Sequence, residues 1–150
     1  MTSTLESHRL RHARQALVAA LRLSGGIEMA ACLAVCLPSD WMRVGYEWLR
    51  LGQMPEAAVF GYLARSTSLL WAAHGAVVVF LTTDIDRFLP LVRFIGWLTL
   101  VMGAALLGID AVERLPLWWT AVEGPIVLVM GAVFLAASRQ LQRELSRSEP

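Results

Sequence analysis

Lysine is absent from this chain: all thirteen basic residues are arginine, and twelve acids leave a net charge of +1 over 150 residues. Without a block of positive charge there is no electrostatic footprint for nucleic acid, and no nucleic-acid partner is expected. The sequence also lacks a glycine-rich nucleotide loop, a G-x-S-x-G elbow and a C-x-x-C pair, so no catalytic residues and no cofactor are expected. Only two cysteines occur, Cys32 and Cys36. They stand four apart inside an apolar run, where a thiol acts as a small apolar residue; a redox role is the alternative. His8 and His12 share the same spacing, but they sit among arginines without a third ligand. They read as a solvated helix face rather than a metal site.

What the chain has in quantity is apolar length. Hydrophobic residues make up 57% and charged residues 17%, with a mean hydropathy of +0.56, more apolar surface than a soluble domain of this size hides. Four segments, 16–37, 57–81, 91–109 and 117–137, approach the roughly 20 residues that cross about 30 Å of hydrocarbon. The expected fold is an all-α integral membrane four-helix bundle. Residues 1–15 form a cytoplasmic N-terminal segment, 16–138 the membrane domain and 139–150 a cytoplasmic tail. The first span is interrupted by Arg22, Glu28 and Gly25-Gly26. It reads as a retained helix rather than a signal peptide, because the apolar run ends in "CLPSDW" with no small-x-small cleavage site.

Arginines set the orientation. With four spans, nine arginines fall on the side of the termini and three on the other, with Arg65 inside a span. The positive-inside rule then places both termini in the cytoplasm of a bacterial inner membrane, with the lipid bilayer as partner. A homo-oligomer or a larger membrane complex is compatible with the same composition.

Between the first two spans, Trp41, Val44, Trp48 and Leu51 recur at helical spacing, and Arg43, Glu47 and Arg50 form a charged row. This predicts a short amphipathic helix with Ser39 as its N-cap. The helix either lies in the membrane interface or folds back over the mouth of the bundle. Asp84 and Asp86 read as turn and cap residues in a tight connection.

The second span carries polar residues that need partners. Gly61, Ala64, Ser68, Ala72 and Gly75 form a small-residue stripe suited to close helix packing. Thr67, Trp71 and His74 line another flank, with His74 read as a hydrogen-bonded packing residue. In the fourth span, Pro125 beside Gly124 predicts a kink close to Glu123, either a cavity or an adjustment of fit.

Counting inward from the outer span ends puts Glu28, Arg65 and Glu123 at depths of roughly 13, 12 and 9 Å. Charges at one depth in hydrocarbon relieve their cost by pairing. The expectation is a buried charge cluster in which Arg65 bridges Glu28, Glu123 or both, supported by Tyr62, Ser66, Ser68 and His74.

The four-span pattern, with the stretches "YLARS" (62–66), "HG" (74–75), "PLWWT" (116–120) and "EGP" (123–125), resembles small bacterial DoxX-like and BphX-like membrane proteins. That resemblance implies a fold and a membrane location, not an activity. Small multidrug exporters also have four spans with a glutamate in the first, a position Glu28 would match, although the extra loop helix and Arg65 depart from their pattern. The leading expectation is a non-enzymatic membrane protein, either an accessory or structural subunit or a binder of a small lipophilic molecule. A proton- or cation-coupled transporter and a membrane redox or quinone-linked component are the alternatives.

Overall fold

The computed structural model describes residues 2–52 and 54–148, and the described residues form helices without a strand. In chain order these are α1 (Thr2–Ala30), α2 (Cys32–Val35), α3 (Ser39–Trp48), α4 (Ala58–Phe80), a 3₁₀ turn (Leu81–Thr83), α5 (Ile85–Glu113), α6 (Leu117–Thr120) and α7 (Glu123–Ser148). Four stretches are long and apolar enough to cross a membrane: His8–Val35, Ala58–Thr83, Ile85–Glu113 and Leu117–Arg147. The all-α bundle is the expected architecture.

Local chemistry explains where the helices begin and tighten. Helix α1 starts at Thr2, so the border expected at residue 15 is not a structural break. Just past Glu28 it tightens, with the Ala31 N–H bonding the Glu28 carbonyl three residues back at 3.0 Å, and then continues as α2. Asp84 caps α5 by accepting the Arg87 N–H at 3.3 Å, which lets the helix begin before Pro90 rather than after it. Ser39 opens α3, but Pro38 occupies the cap position and makes no side-chain cap bond.

Two helix pairs make the bundle. α1 packs on α4, α5 packs on α7, and the pairs join where α1 lies against α7. Each pair rests on glycines in backbone contact. A Cβ on Gly25 would stand 2.7 Å from the Gly75 carbonyl oxygen, and one on Gly75 would stand 2.5 Å from that of Gly25. In the other pair, Gly96 meets Gly131 and Gly103 meets Gly124, and a Cβ on Gly131 or Gly103 would lie 2.9 Å or 3.1 Å from the opposing carbonyl oxygen. Without side chains between them, the helix axes approach until dispersion and weak Cα–H···O contacts replace lipid.

The core is lopsided. Its apolar side chains include Ala13, Leu17, Leu21, Val78, Leu81, Ile85, Leu89, Val92, Ile95, Phe134 and Leu141. All lie toward the end that carries both termini and the α4–α5 turn, the near end. Ion pairing there joins Arg14 to Asp86, and Arg22 donates to the Thr82 hydroxyl at 3.1 Å. At the far end, α2, α3 and α6 contain no buried residue. There packing is chiefly within each helix pair, with α5 on α7 around buried Gly103 and Asp110 and α2 on α4.

Helix α3 is amphipathic, as its spacing predicts, and it does not fold over the mouth. Trp41, Val44 and Trp48 are exposed, Trp48 at 81%, while Tyr46 on the other flank packs edge-on against Phe60 at 5.6 Å between ring centres. The fourth span, Leu117–Arg147, is interrupted next to Glu123, where the sequence predicts a kink. α6 ends at Thr120, a turn intervenes, and Pro125 falls in the first turn of α7, where a missing N–H costs no helical bond.

Candidate functional site

Helix α1 presents Ser24 and Glu28 four residues apart on one face, so the hydroxyl lies one turn before the carboxylate. Ser24 Oγ donates to Glu28 Oε1 at 3.0 Å, and His74 Nδ1 of α4 lies 2.6 Å from Glu28 Oε2. The Gly25–Gly75 contact makes this reach possible. Gly75 is next to His74 in the chain, and a Cβ placed on it would stand 2.7 Å from the Glu28 Cβ. Helix α7 adds Met130, whose Sδ lies 3.8 Å from Ser24 Oγ. Trp71, one turn before His74, stands edge-on to the imidazole with ring centres 6.3 Å apart.

The electrostatic arrangement is closed at one end and open at the other. Ser24 is buried and Glu28 is 8% exposed, with both carboxyl oxygens partnered; the His74 side chain is 28% exposed. A carboxylate held by a hydroxyl and an imidazole can pass a proton along one hydrogen bond without moving a heavy atom. The array can therefore hold or relay a proton, or offer a polar anchor to a bound molecule.

The charge cluster expected from depth counting is not formed. Arg65 donates through one terminal nitrogen to the Leu37 carbonyl at 3.0 Å and to Ser39 Oγ at 3.4 Å, and it makes no ion pair among the described residues. Glu123 accepts from Trp119 Nε1 at 2.6 Å. The depth count assumed that all spans start at one level. Because Gly25 meets Gly75, the 17 residues of α4 back to Ala58 stand against the 12 from Gly25 to Leu37, and α4 overshoots the end of the first span by roughly 7 Å. Arg65 thus snorkels outward instead of reaching Glu28. Of the supporting residues, His74 is brought to Glu28, Ser66 bonds the Leu63 carbonyl of its own helix, Ser68 is half-buried in the stripe, and Tyr62 is exposed.

Two buried polar residues, Ser24 and Asp110, went unnamed in the sequence. Ser24 was legible, since it stands four before Glu28. Asp110 was hidden by the hydropathy boundary at residue 109; it is buried at 2% exposure near the end of α5, and its Oδ2 has no hydrogen-bond partner. His8 and His12 are exposed and face one another at 3.0 Å, and Cys32 and Cys36 are unpaired and exposed. Among the described residues no three His, Cys, Asp or Glu side chains gather as metal ligands.

No family model, curated protein or solved structure matches this chain.

Proposed function

We propose that this chain is a non-enzymatic multi-pass protein of a bacterial inner membrane, with both termini cytoplasmic, that binds a small lipophilic molecule between its helix pairs. Glu28 and His74 would recognise that molecule's polar group. The observation that carries the reading is the place of the Ser24–Glu28–His74 array, at the level where the four-helix core gives way to packing chiefly within each pair. A purely structural tie gains nothing from a partly open imidazole, whereas a ligand anchor requires one. The arginine asymmetry supports the orientation, and the exposed tryptophans of α3 suit headgroup level. Likeness to DoxX-like and BphX-like proteins agrees with the location and is silent on the ligand.

The test is mass spectrometry of organic extracts from protein purified in mild detergent. Wild type should carry a lipophilic molecule that His74→Ala and Glu28→Gln lose while melting cooperatively. Identical extracts from all three proteins would refute the reading.

A second reading, proton-coupled transport, is favoured by the 2.6 Å contact between His74 and Glu28. In proteoliposomes with a pH gradient, uptake of a lipophilic cation that Glu28→Gln abolishes would support it. Uptake indifferent to the gradient would remove it.

A further inference from the structure

We infer a second site at the far end of the bundle, for a zwitterionic head that joins a phosphate to an ammonium, with Arg65 taking the phosphate and Glu56 the ammonium. A cavity of about 460 Å³ lies there between α3 and the start of α4, lined by Ser39, Asp40, Arg43, Glu56, Gly61 and Arg65 among others. Its volume suits a small polar head rather than acyl chains.

The charges in this cavity are arranged unevenly. Arg43 and Asp40 neutralise one another at 3.1 Å. Arg65 and Glu56 have no ion-pair partner among the described residues, so one cation and one acid remain unmatched in the same cavity. Arg65 is nevertheless fixed in place. One terminal nitrogen is held by the Leu37 carbonyl and Ser39, and the other lies over Gly61, where an added Cβ would come within 3.2 Å of it. That leaves the second terminal nitrogen to donate beside the cavity, a charge-assisted hydrogen bond suited to a phosphate oxygen. Gly61 has no side chain to obstruct the approach.

Position favours a lipid as the source. The cavity adjoins the exposed Trp41 face of α3, and it lies beside the start of the span Ala58–Thr83, the end of a span being where headgroup phosphates would meet it. A soluble phosphoethanolamine ester has the same chemistry, and the experiment separates the two.

The full-length protein in detergent is titrated with short-chain phosphatidylethanolamine, phosphatidylcholine and phosphatidylglycerol, and separately with glycerophosphoethanolamine, while native mass spectrometry follows adducts. Phosphatidylethanolamine should bind best, because choline cannot donate to Glu56 and glycerol has no cation. Arg65→Gln should weaken binding of all three lipids about tenfold, and Glu56→Gln should abolish the preference for ethanolamine. Because Arg65 also ties Leu37, the Arg65→Gln protein is first checked by melting; exposed Glu56 gives an independent variant if it fails. Glycerophosphoethanolamine binding as tightly as the lipid would support the site and assign it a soluble ligand. Lipid retention that is the same in wild type and in Glu56→Gln, with no headgroup preference in either, would overturn the inference.

Discussion

Glu28 illustrates how a charged residue settles in an apolar helix: it has two hydrogen-bond partners, one from its own helix and one from α4. Removing His74 alone leaves the carboxylate half satisfied. A double-mutant cycle of Glu28→Gln and His74→Ala in detergent melts should therefore show a coupling of about 1–3 kcal/mol, and additive losses would mean that the contact contributes nothing. Asp110 is the opposite case, with a buried oxygen that lacks a partner. Replacing it by a side chain of the same branching without polar atoms, Asp110→Leu, should raise stability by about 1 kcal/mol; a fall in melting temperature would show that the carboxyl is satisfied in the membrane or that the larger methyl groups do not fit. Arg114 closes α5 in the left-handed region at φ 55°, a conformation that glycine adopts without Cβ strain. Arg114→Gly should accordingly stabilise the protein by about 0.5–1 kcal/mol in a denaturant titration.

At the scale of elements, glycines decide which helices can touch. Gly25 and Gly26 are neighbours in sequence, yet a Cβ on Gly25 would strike the Gly75 backbone while one on Gly26 would meet nothing within 4 Å. Gly25→Ala should therefore cost about 1–3 kcal/mol through forced separation of α1 and α4, and it should also lengthen the Glu28–His74 contact. By contrast, Gly26→Ala should be neutral or stabilising by up to about 1 kcal/mol, since it gains helix propensity in open space. Equal effects of the two substitutions on thermal melting would contradict the seam. The α5–α7 pair repeats this logic with Gly96, Gly103, Gly124 and Gly131, where the spacing of seven on both helices keeps two backbone contacts on one line. Glycine spacing in the third and fourth spans was therefore informative in the sequence, although its pairing was not.

The molecule buries most of its apolar side chains toward the end that holds both termini. Leu17 and Phe134 are buried in the near-end core, whereas Leu33 and Leu70 in the far half are exposed. Truncation to alanine should cost about 2–5 kcal/mol at the first two positions and little at the second two, and comparable losses at all four would disprove the lopsided core. In the far half the packing is within each pair, as at the Gly103–Gly124 contact, rather than between the pairs. Looser packing between the pairs suits the site proposed around Glu28 and His74, because adjustment of one helix pair against the other need not disturb the near-end core.

Composition and the spacing of apolar runs were enough to specify helices, four long apolar segments, and a short amphipathic helix between the first two. These properties follow from the local periodicity of the backbone and the length needed to cross hydrocarbon, and each can be read one segment at a time. The partners of the charged residues could not be read that way. Depth along a span fixes neither how far one helix overshoots the next nor which face it turns inward. Both were decided by the glycine contacts, which set the register of α1 against α4 and so joined Glu28 to His74 while leaving Arg65 to the Leu37 carbonyl and Ser39. The lopsided core was hidden for the same reason: apolar side chains facing lipid and those facing a neighbouring helix are chemically alike, and only the packed arrangement tells them apart.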